Sequence, residues 1–154
     1  MNIIAHRGNL NGPDSCPWLE NHPDQIDVCI RLGYGVEVDL WCVGDALYLG
    51  HDGPTYEVSM DYLNERCDSL FIHTKNLPAL RKLIGSGLNY FWHQGDAFTL
   101  TSHCDIWTYP GQEVTDESII VCESKDDLLK YCDSEARGIC TDYPVYLESM
   151  SVCS

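Results

Sequence analysis

Positive charge is scarce in this sequence. Nine Lys and Arg stand against 24 Asp and Glu, giving a net charge of −15 over 154 residues. Such a chain repels polyanions, so nucleic acid and anionic membrane surfaces are not expected partners, whereas cations are favoured. A small phosphorylated substrate stays compatible only where local positive charge meets it, so the positions of the few Lys and Arg are informative. Long apolar runs are also missing. None approaches the roughly 18 residues of a membrane span, and no membrane insertion is expected. No charged segment followed by an apolar stretch and a small-residue cleavage site is visible, which points to a cytoplasmic protein. The nine cysteines are odd in number and include no CxxC pair. Cys29, Cys67, Cys132 and Cys140 fall in apolar patterns and read as reduced core thiols rather than as a disulfide framework. A glycine-rich GxGxxG or Walker-type turn is absent too, which removes the usual phosphate cradle of a nucleotide-binding sheet.

What is present is ordinary for a globular chain, with 44% hydrophobic and 21% charged residues. That balance and length fit one domain spanning residues 1–154. Short β-like runs alternate with amphipathic segments. Strands are expected at 2–5, 35–41, 70–74, 89–93, 105–109, 118–122 and 138–141, with 47–49 returning as the second arm of a hairpin after Asp45. Helices are expected at 23–32, 59–67 (capped by Ser59), 77–84 (capped by Asn76), 124–132 and 143–150, and one or two helical turns at 96–102. Leu128, Leu129 and Cys132 should face inward. This order indicates an α/β fold with a parallel sheet. A complete (β/α)8 barrel takes about 250 residues, so the expected form is an abbreviated TIM-type barrel with about seven to eight parallel strands and reduced helices. An open doubly wound sheet is the alternative.

Chemistry gathers at the strand ends. Residues two apart on a strand share a face, so Glu37 and Asp39 in "VEVDL" project together. Two adjacent buried carboxylates repel each other, and a bound cation or a pair of basic side chains must compensate them. His73 and Lys75 in "IHTK" share a face one strand later. His51 returns from the hairpin in "LGHD", and His6 and Arg7 end the first run in "IIAHRG". In a parallel barrel these positions meet at the carboxyl-terminal rim. Trp92, His93, Trp107 and Tyr109 lie at later strand ends and could line a pocket.

These residues resemble the glycerophosphodiester phosphodiesterases and the related spider-venom phospholipase D enzymes. The similarity runs in order along nearly the whole chain: His6-Arg7-Gly8, Glu20-Asn21 before a helix, Glu37-x-Asp39, His51-Asp52 after a hairpin, and Thr141-Asp142-Tyr143-Pro144. It is densest before residue 53 and weakest over 89–121. The resemblance implies a TIM-type barrel that cleaves a small phosphodiester with one divalent cation, magnesium or calcium. It further implies His6 and His51 as general acid and base, Glu37 and Asp39 as metal ligands, and Lys75, with Arg7, at the phosphate. Two imidazoles can exchange protons near neutral pH while a cation polarises the phosphoryl group. In one place the sequence departs from the pattern. The family's third acidic ligand, two residues before its lysine, is replaced here by His73. Either His73 ligates and favours manganese or another transition metal, or the site is weaker, or another acid (Glu20, Glu123 or Asp142) contributes. A barrel that binds a phosphorylated ligand or a cation without catalysis is the rival reading.

Overall fold

Along the parallel strands the side chains alternate between the barrel interior and the space under the helices, and that alternation sets the architecture. A computed structural model describes residues 1–151. In chain order the strands and helices are β1 (Asn2–His6), α1 (Pro23–Arg31), β2 (Gly35–Val43), β3 (Ala46–Leu49), β4 (Tyr56–Val58), α2 (Met60–Asn64), β5 (Leu70–Thr74), α3 (Leu77–Leu83), β6 (Tyr90–Phe91), β7 (Phe98–Leu100), β8 (Ile106–Thr108), β9 (Ser118–Cys122), α4 (Lys125–Tyr131), β10 (Gly138–Thr141) and α5 (Pro144–Ser151). Parallel ladders join seven strands in the spatial order β6-β5-β2-β1-β10-β9-β8. The sheet is nevertheless mixed rather than wholly parallel, because antiparallel ladders attach β3 to β2, β4 to β3 and β7 to β8. No ladder joins β6 to β8 among the described residues.

The sheet curls around a filled interior, a partial TIM-type barrel. Ile4, Phe91, Trp107, Ile119, Val121 and Cys140 pack together inside it with the partly buried Phe71. Trp107 stacks on Phe91 at 4.5 Å between ring centroids, and the Ser102 N–H donates to the Tyr90 carbonyl at 2.9 Å. The Tyr90 N–H donates back to Ser102 Oγ at 3.0 Å, and Asn89 Nδ2 donates to Asp105 Oδ2 at 3.1 Å, so rings and loop hydrogen bonds draw β6 and β8 together where the ladder is missing. The alternate residues face outward under helices. Ala5, Val36, Val38, Leu70 and Ile72 pack with Ile26 and Cys29 of α1 and with Ala79 and Leu83 of α3. Ile120, Cys122 and Ile139 pack with Leu128 and Tyr131 of α4 and with Leu147 of α5.

Several helix boundaries follow from capping. Ser59 accepts from the Tyr62 N–H, and Asn76 accepts from the Ala79 N–H while its amide also donates to the Cys42 carbonyl. Each cap satisfies a donor that the first helical turn leaves free. Three expectations are corrected. Residues 98–100 form β7 instead of a helical turn, since the aromatic and β-branched alternation of Phe98-Thr99-Leu100 suits a strand paired on one edge. Leu129 is 60% exposed, and Tyr131 takes its inward place on α4. Cys67 is exposed and Cys132 half-buried, whereas Cys29 and Cys140 are core thiols.

Candidate functional site

The first strand ends in a reversal that its sequence must force. Arg7 and Gly8 both take left-handed backbone angles, with φ of 52° and 78°. For Gly8 this is free, but for a side-chain-bearing residue it costs about 1–2 kcal/mol. Arg7 is held there from both sides. Its N–H donates to Glu37 Oε2 at 3.2 Å, and its carbonyl accepts the Asn21 N–H at 2.8 Å. The turn brings the guanidinium back over the strand ends, where Nη1 donates to Glu20 Oε2 at 3.5 Å. Nε lies 3.5 Å from Asp39 Oδ2 but is buried without a hydrogen-bond partner, so that contact is purely coulombic.

Glu37 and Asp39 point into the mouth of the barrel and are only 3% and 1% exposed. Their surroundings differ. Asp39 is crowded with donors: Asn21 Nδ2 at 2.9 Å on Oδ2, with Lys75 Nζ and His73 Nδ1 each 3.2 Å from Oδ1. Burial alone would raise its pKa, but His73, Lys75, Asn21 and Arg7 outweigh it and hold Asp39 below the usual carboxylate range. Glu37 receives the Arg7 N–H, with a ring nitrogen of His6 and one of His73 each 3.9 Å away. Burial, and next the charge of Asp39, push its pKa up. A carboxylate so placed has spare coordinating capacity.

One oxygen of Glu37, one of Asp39 and one nitrogen of His73 lie within 4.8 Å of one another. Two buried carboxylates and an imidazole suit a divalent cation, whose charge would relieve the strain on Glu37. Glu20 stands outside this group. Its oxygens accept from Asn9 Nδ2 at 2.8 Å and from Arg7.

His6 is positioned by Asp142. Its Nδ1–H donates to Asp142 Oδ1 at 2.9 Å, which leaves Nε2 turned toward Glu37. Asn9 Nδ2 also donates to Asp142 Oδ1, at 2.8 Å. Burial opposes a charge on either partner. The Asp142 hydrogen bond and the charges of Glu37 and Asp142 nonetheless raise the His6 pKa, while Asp142 is lowered. A histidine oriented by a buried carboxylate is a recurrent arrangement for moving protons. In the sequence Asp142 stood out through the Thr141-Asp142-Tyr143-Pro144 resemblance and as an alternative metal ligand; its pairing with His6 had no local signal.

His51 is placed by a turn with no room for a side chain. A Cβ on Gly50, at φ 150°, would run into the Gly53 carbonyl and Thr55. The Gly50 N–H donates to the Asp39 carbonyl at 3.1 Å, so His51 is tied to the strand that carries Asp39. Its Nδ1 pairs with the exposed Asp52 at 2.8 Å. Thus His6, Arg7, Glu37, Asp39, His73 and Lys75 share direct contacts, while His51 stands at the rim. His93 and Tyr109 add to the mouth from the other side, with His93 Nε2 and the Tyr109 hydroxyl 2.7 Å apart. A cavity of about 460 Å³ lined by Asn2, Ile4, Gly35 and Phe71 lies at the opposite, amino-terminal end of the strands and takes no part in this chemistry.

Neither a scan against protein-family models nor a search of curated proteins finds a match for this chain. Among solved structures it is similar to a crystal structure from Galdieria sulphuraria described as a "putative glycerophosphodiester phosphodiesterase", with a TM-score of 0.55 and 12% identity over 97% of this chain and 96% of that one. At that identity the likeness is one of fold.

Proposed function

We propose that this chain is a metal-dependent phosphodiesterase that cleaves a small, glycerophosphodiester-like substrate. The observation that carries this reading is the convergence of a Glu37–Asp39–His73 donor set and a carboxylate-anchored His6 at one barrel mouth. The fold it shares with a described phosphodiesterase is in keeping with it. Glu37, Asp39 and His73 would hold one divalent cation, which when bound supplies Lewis-acid polarisation of a phosphoryl oxygen. Arg7 and Lys75 bring the mouth's fixed positive charges to the phosphate, exchanging part of their contact with Asp39 for it. His6 gives or takes a proton at Nε2, because Asp142 occupies Nδ1. We assign the second proton transfer to His51. Eight free thiols among the described residues support a reducing, cytoplasmic setting.

A second reading rests on the fact that Arg7 and Lys75 both already face Asp39. A mouth so self-neutralised could bind a cation without catalysis. Phosphorus NMR of glycerophosphodiesters incubated with the protein and a panel of divalent ions separates the two. Turnover to a phosphomonoester or cyclic phosphate is expected, with His6→Ala slowed by about 100-fold or more and still binding metal. Cation binding without any turnover would leave the non-catalytic reading in its place.

A further inference from the structure

The surroundings of His73 specify more than its membership of the donor set. Its Nε2 lies 3.2 Å from the backbone carbonyl oxygen of His93. A carbonyl only accepts, so Nε2 bears the hydrogen. The ring is fixed in plane by Phe91, stacked at 5.2 Å and 5°, with His93 at 5.0 Å. That leaves Nδ1 facing Asp39 Oδ1 at 3.2 Å and Glu37 Oε1 at 3.9 Å, the position from which it can donate to Asp39 or bind a cation shared with both carboxylates.

We propose that a borderline transition-metal ion, of the zinc, iron or cobalt kind, occupies this position and is ligated by Nδ1 of His73. This rests on the metal-binding reading above and deepens it by naming the class of cation. The His93 carbonyl is then the outer partner that holds the ring in its ligating tautomer, as backbone carbonyls commonly do for metal-bound histidines. The parallel register of β5 and β6, which pairs His73 with Phe91, is what delivers that carbonyl. A nitrogen donor in place of a third carboxylate lowers the negative charge of the set and moves its preference from magnesium and calcium toward ions that accept imidazole.

Cobalt(II) tests this without reference to turnover. The full chain is titrated with Co(II), Zn(II) and Mg(II) by calorimetry, and the cobalt form is examined by proton NMR. A hyperfine-shifted, exchangeable N–H is expected from the ligating ring, with Overhauser contacts to Phe91. It should vanish in His73→Gln and persist in His6→Gln. The ratio of cobalt to magnesium affinity should fall at least tenfold in His73→Glu. If cobalt binds but no shifted N–H appears, or the signal survives in His73→Gln, the inference fails and the metal reading stands. If no divalent ion binds the native protein, both fail. Should the variants not fold, the Phe91 contacts in the native spectrum decide, since their absence alone removes His73 from the metal.

Discussion

Asn21 joins the mouth of the barrel through three groups at once. Its backbone N–H donates to the Arg7 carbonyl, its amide donates to Asp39, and its side-chain oxygen accepts the Asp39 N–H at 2.8 Å. It does so at φ 58°, a left-handed conformation that asparagine tolerates better than most residues. Asn21→Ala should therefore leave Asp39 Oδ2 and a buried N–H without a hydrogen bond, and destabilise the fold by about 2–4 kcal/mol in denaturant titration. A loss below about 0.5 kcal/mol, the usual scatter of surface substitutions, would show these bonds to be dispensable. In the sequence, Asn21 stood out only through the family resemblance. Glu37 and Asp39 were legible as one face of a strand by a period of two, and His73 with Lys75 likewise, although the meeting of the two faces depends on the β2–β5 pairing. The roles of Asp142 and the His93 carbonyl were not legible, since they depend on which strands become neighbours.

Arg66, just past α2, grips α1 through Asp27, with contacts of 2.6 and 3.0 Å to the two carboxylate oxygens. Its guanidinium also lies 3.8 Å above the Tyr62 ring. The hydrogen bond from Arg66 lowers the Asp27 pKa below its ordinary value of 3.8. A depressed folded-state pKa adds stability above the unfolded value, and that stability is lost as pH falls through the folded one. Asp27→Asn should then cost about 1 kcal/mol near neutrality, the scale of a half-exposed pair. The gap to the native protein should close in thermal melts taken at acid pH below the Asp27 value. A difference independent of pH would assign the effect to packing. At this scale, the regular helices and parallel strands could be read from periodicity and caps. β7 was misread because Phe98 and Leu100 are 46% and 66% exposed, so burial imposed no pattern on that segment.

Across the whole molecule, the parallel ladders run unbroken from β6 round to β8, and the sheet fails to close between those two strands. The shortness of the chain predicted an abbreviated barrel, but where the ring would be left open depended on long-range pairing that no local pattern encodes. Hydrogen exchange should trace the break. Amides of β1, paired on both sides by β10 and β2, should exchange at rates set by global unfolding, and those of β6 by smaller openings. Equal protection in β1 and β6 would mean that the stacked rings close the sheet as firmly as a ladder. The gap has a mechanical consequence. A ring with one unladdered joint yields there first under load. The stiff arc from β5 through β2 and β1 to β10 carries or leads directly into His73, Lys75, Glu37, Asp39, His6 and Asp142, whereas the joint lies between His93 and Tyr109. Bulk entering the mouth should therefore spread that side first, with the charged groups expected to keep their spacing while it gives.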